Sequence, residues 1–303
     1  MKPSLSHLGA IGFALAGFTF WVLTDTTIKL AGPSGLPAYE VVAFLGFFIA
    51  VFLALNALAR RQLRQLWPRN LPRQLVRSAL DLGNNLGVVI ALRHLSLTLF
   101  YILVFMAPLV TTILSSIFLR ERLTLRKSLA VLAGFAGVVI AVDPPGAGHH
   151  ADWTGYAACM LCVACFSVNM VWSRVLTQTE TAESLTFFSG LVMAAVGFGL
   201  MFGHAVPVGP GLGGLLIAMG LFCALGTLCF FIALRHTSAA NVAQYHYTQL
   251  VTGALMAYLV WHQKPTLFML VGGVLIAGSG ISIAWAASRE RFSAIPLPPV
   301  VPD

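Results

Sequence analysis

Two asparagines stand side by side in Gly83-Asn84-Asn85-Leu86-Gly87, inside an otherwise apolar run. A polar group surrounded by hydrocarbon is costly unless it meets a partner or faces water, so the pair marks either a helix–helix hydrogen bond or a cavity wall. Both readings stand open for Asn84 and Asn85. Further along, Asn241, Gln244, Tyr245, Thr248, Gln249 and Thr252 recur at helical spacing and share one face. Six polar side chains on one stripe read as a cavity lining in preference to core glue, and Asn84 and Asn85 offer donors and acceptors suited to a carboxylate or an ammonium. Thr98, Tyr101, Phe105 and Pro108 repeat that geometry. The rings of Tyr101 and Phe105 offer either a stacking surface for an aromatic ligand or ordinary core packing. Trp21 and Asn169 take related places in the two halves of the chain, while Trp172 and Trp261 read as interfacial anchors near helix ends.

Charged residues within apolar stretches come in pairs. Asp25 precedes Lys29 by four residues and Asp81 follows Arg77 by four, which predicts two intrahelical ion pairs. Each pair neutralises itself, so neither aspartate is expected to carry an obligatory proton, and facilitated movement of a solute down its gradient is the expectation. Cys159, Cys162 and Cys165, three apart, stack along one helix face; a small-residue contact is the preferred reading over a metal strip. His149-His150 with Asp152 reads as a solvated loop and not a metal site.

Catalytic patterns are weak. Ala277-Gly278-Ser279-Gly280 misses the first glycine of an intramembrane serine protease motif, and Ser279 reads as part of a close helix contact. Gly209-Pro210-Gly211-Leu212-Gly213-Gly214 follows no strand and reads as a turn that starts a helix, not a phosphate loop. No Walker motif is present, and no catalytic residue, cofactor or metal is implied.

The elements that must carry these residues follow from composition. The chain of 303 residues is 58% hydrophobic and 9% charged, with a mean hydropathy of +0.87. Soluble domains carry about 25% charged residues, so lipid is the expected solvent. Crossing it takes about 20 helical residues. Ten apolar stretches approach that length: 8–30, 38–59, 75–92, 97–119, 128–142, 154–172, 185–205, 211–234, 239–261 and 267–287. The first resembles a signal peptide but lacks a cleavage site and reads as a retained helix. The proline-rich end beyond 287 reads as a disordered cytoplasmic tail.

The net charge of +8 does not imply nucleic acid. With the N-terminus inside, fifteen of the eighteen lysines and arginines fall in cytoplasmic segments and only Lys29, Arg93 and Lys264 outside. That bias predicts a multi-pass protein of the cytoplasmic (inner) membrane with both termini cytoplasmic.

The chain also repeats itself. Ala91-Leu92-Arg93-His94-Leu95-Ser96 returns 142 residues later as Ala233-Leu234-Arg235-His236-Thr237-Ser238. Arg120-Glu121-Arg122-Leu123-Thr124 lies at the same offset from His262-Gln263-Lys264-Pro265-Thr266. Five helices per copy is an odd number, so the second copy inserts upside down. The expected fold is an all-α membrane protein of ten transmembrane helices in two inverted five-helix repeats, 1–148 and 149–287, around a central cavity, followed by the tail 288–303. Inverted repeats place a solute site near the midplane between halves.

Trp21…Asp25…Lys29, the two Ala-Leu-Arg-His-x-Ser turns and the passage Ala107-Pro108…Arg120-Glu121-Arg122-Leu123-Thr124 resemble the drug/metabolite transporter superfamily in its ten-helix EamA-type branch. The resemblance spans about 8–287. Its second half departs where Gln249-Leu250 replaces the usual Glu-Pro and Gln263 an acidic residue. Overall likeness is greatest to the YddG-type aromatic amino-acid exporters. The resemblance implies an alternating-access carrier that exports neutral, mainly aromatic amino acids, with the lipid bilayer as surroundings and no obligatory protein partner. A carrier for another metabolite or drug, with proton coupling, is the alternative. Trp21, Asn84, Asn85, Tyr101, Asn169, Gln244, Tyr245 and Thr248 are the expected solute-binding residues.

Overall fold

A computed structural model of the chain describes residues 7–107, 109–110, 113–114, 125–142, 152–176, 179–201, 206–236 and 248–293. Among them run ten α-helices and no strand: α1 (His7–Ala31), α2 (Ala38–Ala59), α3 (Leu71–His94), α4 (Leu97–Val104), α5 (Leu125–Val142), α6 (Trp153–Leu176), α7 (Ala182–Leu200), α8 (Pro210–His236), α9 (Thr248–Trp261) and α10 (Leu267–Ser293). They coincide with the apolar stretches of the sequence. The last helix runs to Ser293, six residues into the segment expected as a disordered tail, because the charged 288–291 turn continues the helical run out of the apolar stretch; residues 294–303 and the first part of the ninth stretch lie outside the described residues. Six of the helices are long and apolar enough to cross a membrane, and shorter apolar runs occupy α5, α9 and α10.

The surface is inverted relative to a soluble protein. Leu58, Val139, Val251 and Leu267 are exposed, whereas Glu40, Gln74, Arg77 and Ser78 are buried. That arrangement suits a hydrocarbon solvent, in which helices satisfy their backbone internally and polar side chains turn inward. The protein is a multi-pass membrane protein.

Lipid is as apolar as leucine, so helices adhere through close packing at small residues. The most extensive pairings are α1 with α8, α3 with α6, α2 with α7 and α5 with α10. At each crossing a glycine admits the neighbour's backbone. A Cβ built on Gly17 would lie 3.0 Å from the Gly226 carbonyl, one on Gly46 2.5 Å from the Gly190 carbonyl, one on Gly87 2.6 Å from the Ala158 carbonyl, and one on Gly137 2.8 Å from the Gly272 carbonyl. Lesser contacts join α2 to α8, α3 to α7, and α9 to both α4 and α1.

At the centre sits α4. All eight of its residues are buried, and Tyr101, Phe100 and Phe105 are among the largest fully enclosed side chains. A helix apolar on every side belongs inside a bundle. The turn that introduces it is the Arg-His-x-Ser motif. Leu95 is extended, and Ser96 caps α4 by accepting the Leu99 N–H at 3.2 Å. Asn70 and Thr181 cap α3 and α7 in the same way.

Candidate functional site

Asp25, in the last third of α1, is half-buried and accepts a hydrogen bond from the Tyr101 hydroxyl of α4 at 2.7 Å. The expected ion pair with Lys29 does not form. The Lys29 ammonium turns instead to the end of α3 and donates to the Leu92 and Leu95 carbonyls at 2.7 and 2.6 Å, with the Trp261 ring 5.7 Å away. The physical reason is competition. Helix-end carbonyls have no intrahelical donor and carry the negative pole of the macrodipole, and they lie within reach of a four-carbon stem. Trp261, expected as an interfacial anchor, is thus also a cation–π partner. Among the described residues, no cation pairs with Asp25.

Tyr101 reaches Asp25 because Gly253 of α9 makes room for its ring; a Cβ there would overlap ring carbons Cδ2 and Cε2. The rings of Tyr101 and Phe105 are 1% and 0% exposed, so core packing, not stacking on a ligand, is their arrangement. What Tyr101 presents is its hydroxyl.

Asp81 is held quite differently. Its ion pair with Arg77 is present at 3.0 Å, as the spacing predicts. The same carboxylate accepts from Ser189 of α7 at 2.5 Å and from the Asn169 side-chain amide of α6. Arg77 also donates to Ser173, to the Leu185 carbonyl and to Ser189 at 3.0, 2.9 and 2.8 Å. Asn169 therefore sits inside a saturated polar network that joins α3, α6 and α7.

The other expected residues divide. Asn84 is half-buried and accepts from the Cys162 thiol of α6 at 3.1 Å, while Asn85 donates to its own helix at the Asp81 carbonyl. Trp21 donates to Thr227 of α8 at 3.3 Å and packs against Phe18 and Phe230. Asp25 with Tyr101, Trp21 with Thr227 and Asn84 with Cys162 thus make up a constellation of polar contacts drawn from α1, α3, α4, α6 and α8. Thr248 is half-buried on α9, where Thr252 donates back to its carbonyl. Gln249 is buried and donates to the Phe18 carbonyl at 3.2 Å, which ties α9 to α1. Gln244 and Tyr245 lie outside the described residues.

The cysteine stripe forms a helix contact: Gly87 meets Cys162 and Gly83 meets Cys165. Ser279 of α10 lies against Gly134 of α5, and the 209–214 passage does start a helix, α8.

Sequence reasoning missed three features. Glu40 is fully buried in the first turn of α2, where one oxygen accepts from the Val206 N–H at 3.4 Å. Glu180 binds the Arg69 and Asn70 N–H groups, both at 2.8 Å, at the start of α3. His94 meets Asp152 at 2.8 Å, and this hydrogen bond holds the Asp152 carboxyl below the usual carboxylate range. A carboxylate beside a helix start was a legible signal for Glu40. The other two join residues more than fifty positions apart, which periodicity does not report.

The model of the EamA-like transporter family matches residues 8–142 and again 153–285. The pseudopaline exporter of Pseudomonas aeruginosa is 28% identical over 94% of this chain and 98% of its own. The riboflavin transporter of Rhizobium johnstonii is 27% identical over 93% of each. The S-adenosylmethionine uptake transporter of Rickettsia bellii is 25% identical over 63% of this chain and 65% of its own. A crystal structure shares the fold, with a TM-score of 0.66 and 19% identity over 92% of this chain and 98% of that one.

Proposed function

Because the chain belongs to the EamA-like transporter family, we propose that it is an alternating-access carrier of a small polar organic solute, built from two inverted five-helix halves. The observation that carries this reading is the constellation of half-buried polar side chains on α1, α3 and α8 about the Asp25–Tyr101 contact. Polar groups of this kind inside a lipid-soluble bundle are where a solute exchanges its hydration for protein partners.

The pairing of the helices supports the two-halves reading. Exchanging each helix with the one five places on turns α1–α8 into α6–α3, turns α2–α8 into α7–α3, and leaves α2–α7, α4–α9 and α5–α10 unchanged. The boundaries near 148 and 287 agree with the two family matches. Alternation then means rocking one half against the other about these glycine-lined crossings.

Neutral amino acids, mainly aromatic ones, are the first solute class. Asn84 of α3 offers both a donor and an acceptor to a zwitterion, and Trp21 of α1 offers an apolar ring. The relatives carry three different solutes by name, so another metabolite is the second reading. Outward movement is the direction proposed, with both termini cytoplasmic. Counterflow into proteoliposomes tests the reading: labelled phenylalanine or tryptophan should accumulate against an unlabelled internal pool. Asn84→Ala should slow counterflow with little change in melting temperature. Counterflow with riboflavin or a cationic drug and with no amino acid would overturn the solute class. External cysteine labelling of a probe at 64 instead of 149 would overturn the topology.

A further inference from the structure

The two aspartates of the interior are unequally held. Asp81 is ion-paired with Arg77 and receives hydrogen bonds from Ser189 and Asn169, so its charge is fixed by three partners on three helices. Asp25 has one hydrogen bond, from Tyr101, and no cation among the described residues. The groups that face it are few. On its own helix, Lys29 is committed to the Leu92 and Leu95 carbonyls of α3. Helix α4 brings Tyr101, α6 the Cys162 thiol and α8 the Cys223 thiol. From α9 comes the neutral amide of Gln249, which is bonded to the Phe18 carbonyl. Arg93 of α3 is turned away to the Leu36 carbonyl, and Asp81 is neutralised by Arg77. A carboxylate at membrane depth without a cation is where proton relays are found in carriers.

We propose that Asp25 binds and releases a proton during transport, in exchange for the solute, and that Tyr101 reads its protonation state. This rests on the carrier reading above. The proton comes from water on one side, adds to the free oxygen of the Asp25 carboxylate, and leaves to water on the other side; Tyr101 keeps its own proton throughout. A hydrogen bond to an ionised carboxylate is roughly twice as strong as one to a neutral acid. Protonation therefore loosens the tie between α4 and α1, and deprotonation tightens it. A bound species shifts a conformational equilibrium only through such a difference between states. The proton has one here, because α1 packs on α8 and α4 packs on α9, across the two halves. Gly253 acts as a positioning residue, since it seats the Tyr101 ring. Proton exchange departs from the expectation of purely facilitated movement, which rested on an Asp25–Lys29 pair that does not form.

Two measurements test this. In proteoliposomes acid inside by about one pH unit, a one-proton cycle sustains up to about a tenfold accumulation of external phenylalanine. Asp25→Asn, which alters the candidate site itself, should slow counterflow without abolishing it and should lose the response to the gradient altogether. Tyr101→Phe should displace the pH profile of the gradient-driven uptake, whatever its effect on the rate of counterflow. Wild-type counterflow that ignores the gradient overturns the proton proposal and leaves the carrier standing. Loss of counterflow in a folded Asp25→Asn protein makes Asp25 a solute ligand and overturns it too.

The second measurement needs no solute. Infrared difference spectra of the full chain in nanodiscs, between mildly acidic and mildly alkaline buffer, should contain the C=O stretch of a protonated carboxyl. That band should vanish in Asp25→Asn, move in Tyr101→Phe and persist in Asp81→Asn. An unchanged spectrum in Asp25→Asn overturns the proposal, whether or not phenylalanine is carried.

Discussion

The close crossing between α2 and α7 sets up a substitution whose sign is the opposite of that expected from helix propensity. Exchanging glycine for alanine inside a helix normally stabilises by up to about 1 kcal/mol. At Gly46 the added Cβ would lie 2.5 Å from the Gly190 carbonyl oxygen, 2.6 Å from Met193 Cβ and 2.8 Å from the Ala194 nitrogen. Favourable carbon contacts begin near about 3.5 Å, so α7 would have to retreat by roughly 1 Å. Two of the three obstructing atoms are backbone and cannot rotate away. Overpacking of this kind costs about 1–3 kcal/mol, and rigid obstruction argues for the upper end. Gly46→Ala should therefore lose about 2 kcal/mol net. Gly214→Ala is the control, because nothing lies within 4 Å of its Cβ position; it should be neutral or slightly stabilising. Unfolding both variants by SDS titration in mixed micelles, followed by tryptophan fluorescence, measures the difference. A Gly46→Ala protein as stable as the Gly214→Ala protein would refute the close approach, and with it the reasoning that glycines set the helix spacing.

Three further outcomes follow from the side-chain networks. Arg77→Met should destabilise by about 3–5 kcal/mol, since it strands Asp81, and adding Asp81→Leu should recover much of the loss; a double-mutant cycle in the same micelles reads the coupling. Gly253→Ala should leave the bundle folded yet cut gradient-driven phenylalanine uptake more than counterflow, because it displaces the Tyr101 ring; equal losses in both assays would argue against the positioning role. For Asp152 the sign follows from its depressed carboxyl: its contribution is present at neutral pH and is lost as pH falls below the usual carboxylate value of 3.8. Asp152→Asn should accordingly lower the melting temperature at about pH 7, by an amount that shrinks as pH falls below 3.8 and through the depressed carboxyl's own range, and an effect that does not change with pH would assign the loss to something other than the charge on Asp152.

The six long helices were legible because hydrocarbon demands about twenty apolar residues from each span, and that demand writes itself into consecutive positions. α2 was read residue for residue, Ala38–Ala59. The Arg77–Asp81 pair was legible because both ends lie on one helix turn. Asp25–Lys29 has the same spacing and does not pair, because the choice made by Lys29 depends on carbonyls sixty-odd residues away, at the end of α3. Tyr101 shows the same limit from the other side. Its place on an inward stripe was readable, but whether it shows ring or hydroxyl depends on Gly253, which no periodicity links to it. The sequence reports which face a side chain is on, and much less of whom it meets there.

One helix is fastened at both ends by charge. The Glu180 carboxylate grips the N–H groups at the start of α3, and the Lys29 ammonium grips the carbonyls at its finish. Each clamp opposes the pole of the helix macrodipole that it meets, so each is favourable in its own right. They come from different places in the chain: Glu180 from the turn between α6 and α7, Lys29 from the end of α1. A rod held this way cannot slide along its own axis without tearing one clamp, yet it can swing about either as about a hinge pin. Tilt about one clamp swings the opposite end most and so strains the other clamp, which leaves Asp81, Asn84 and Asn85 on a helix whose axial register is set from both ends.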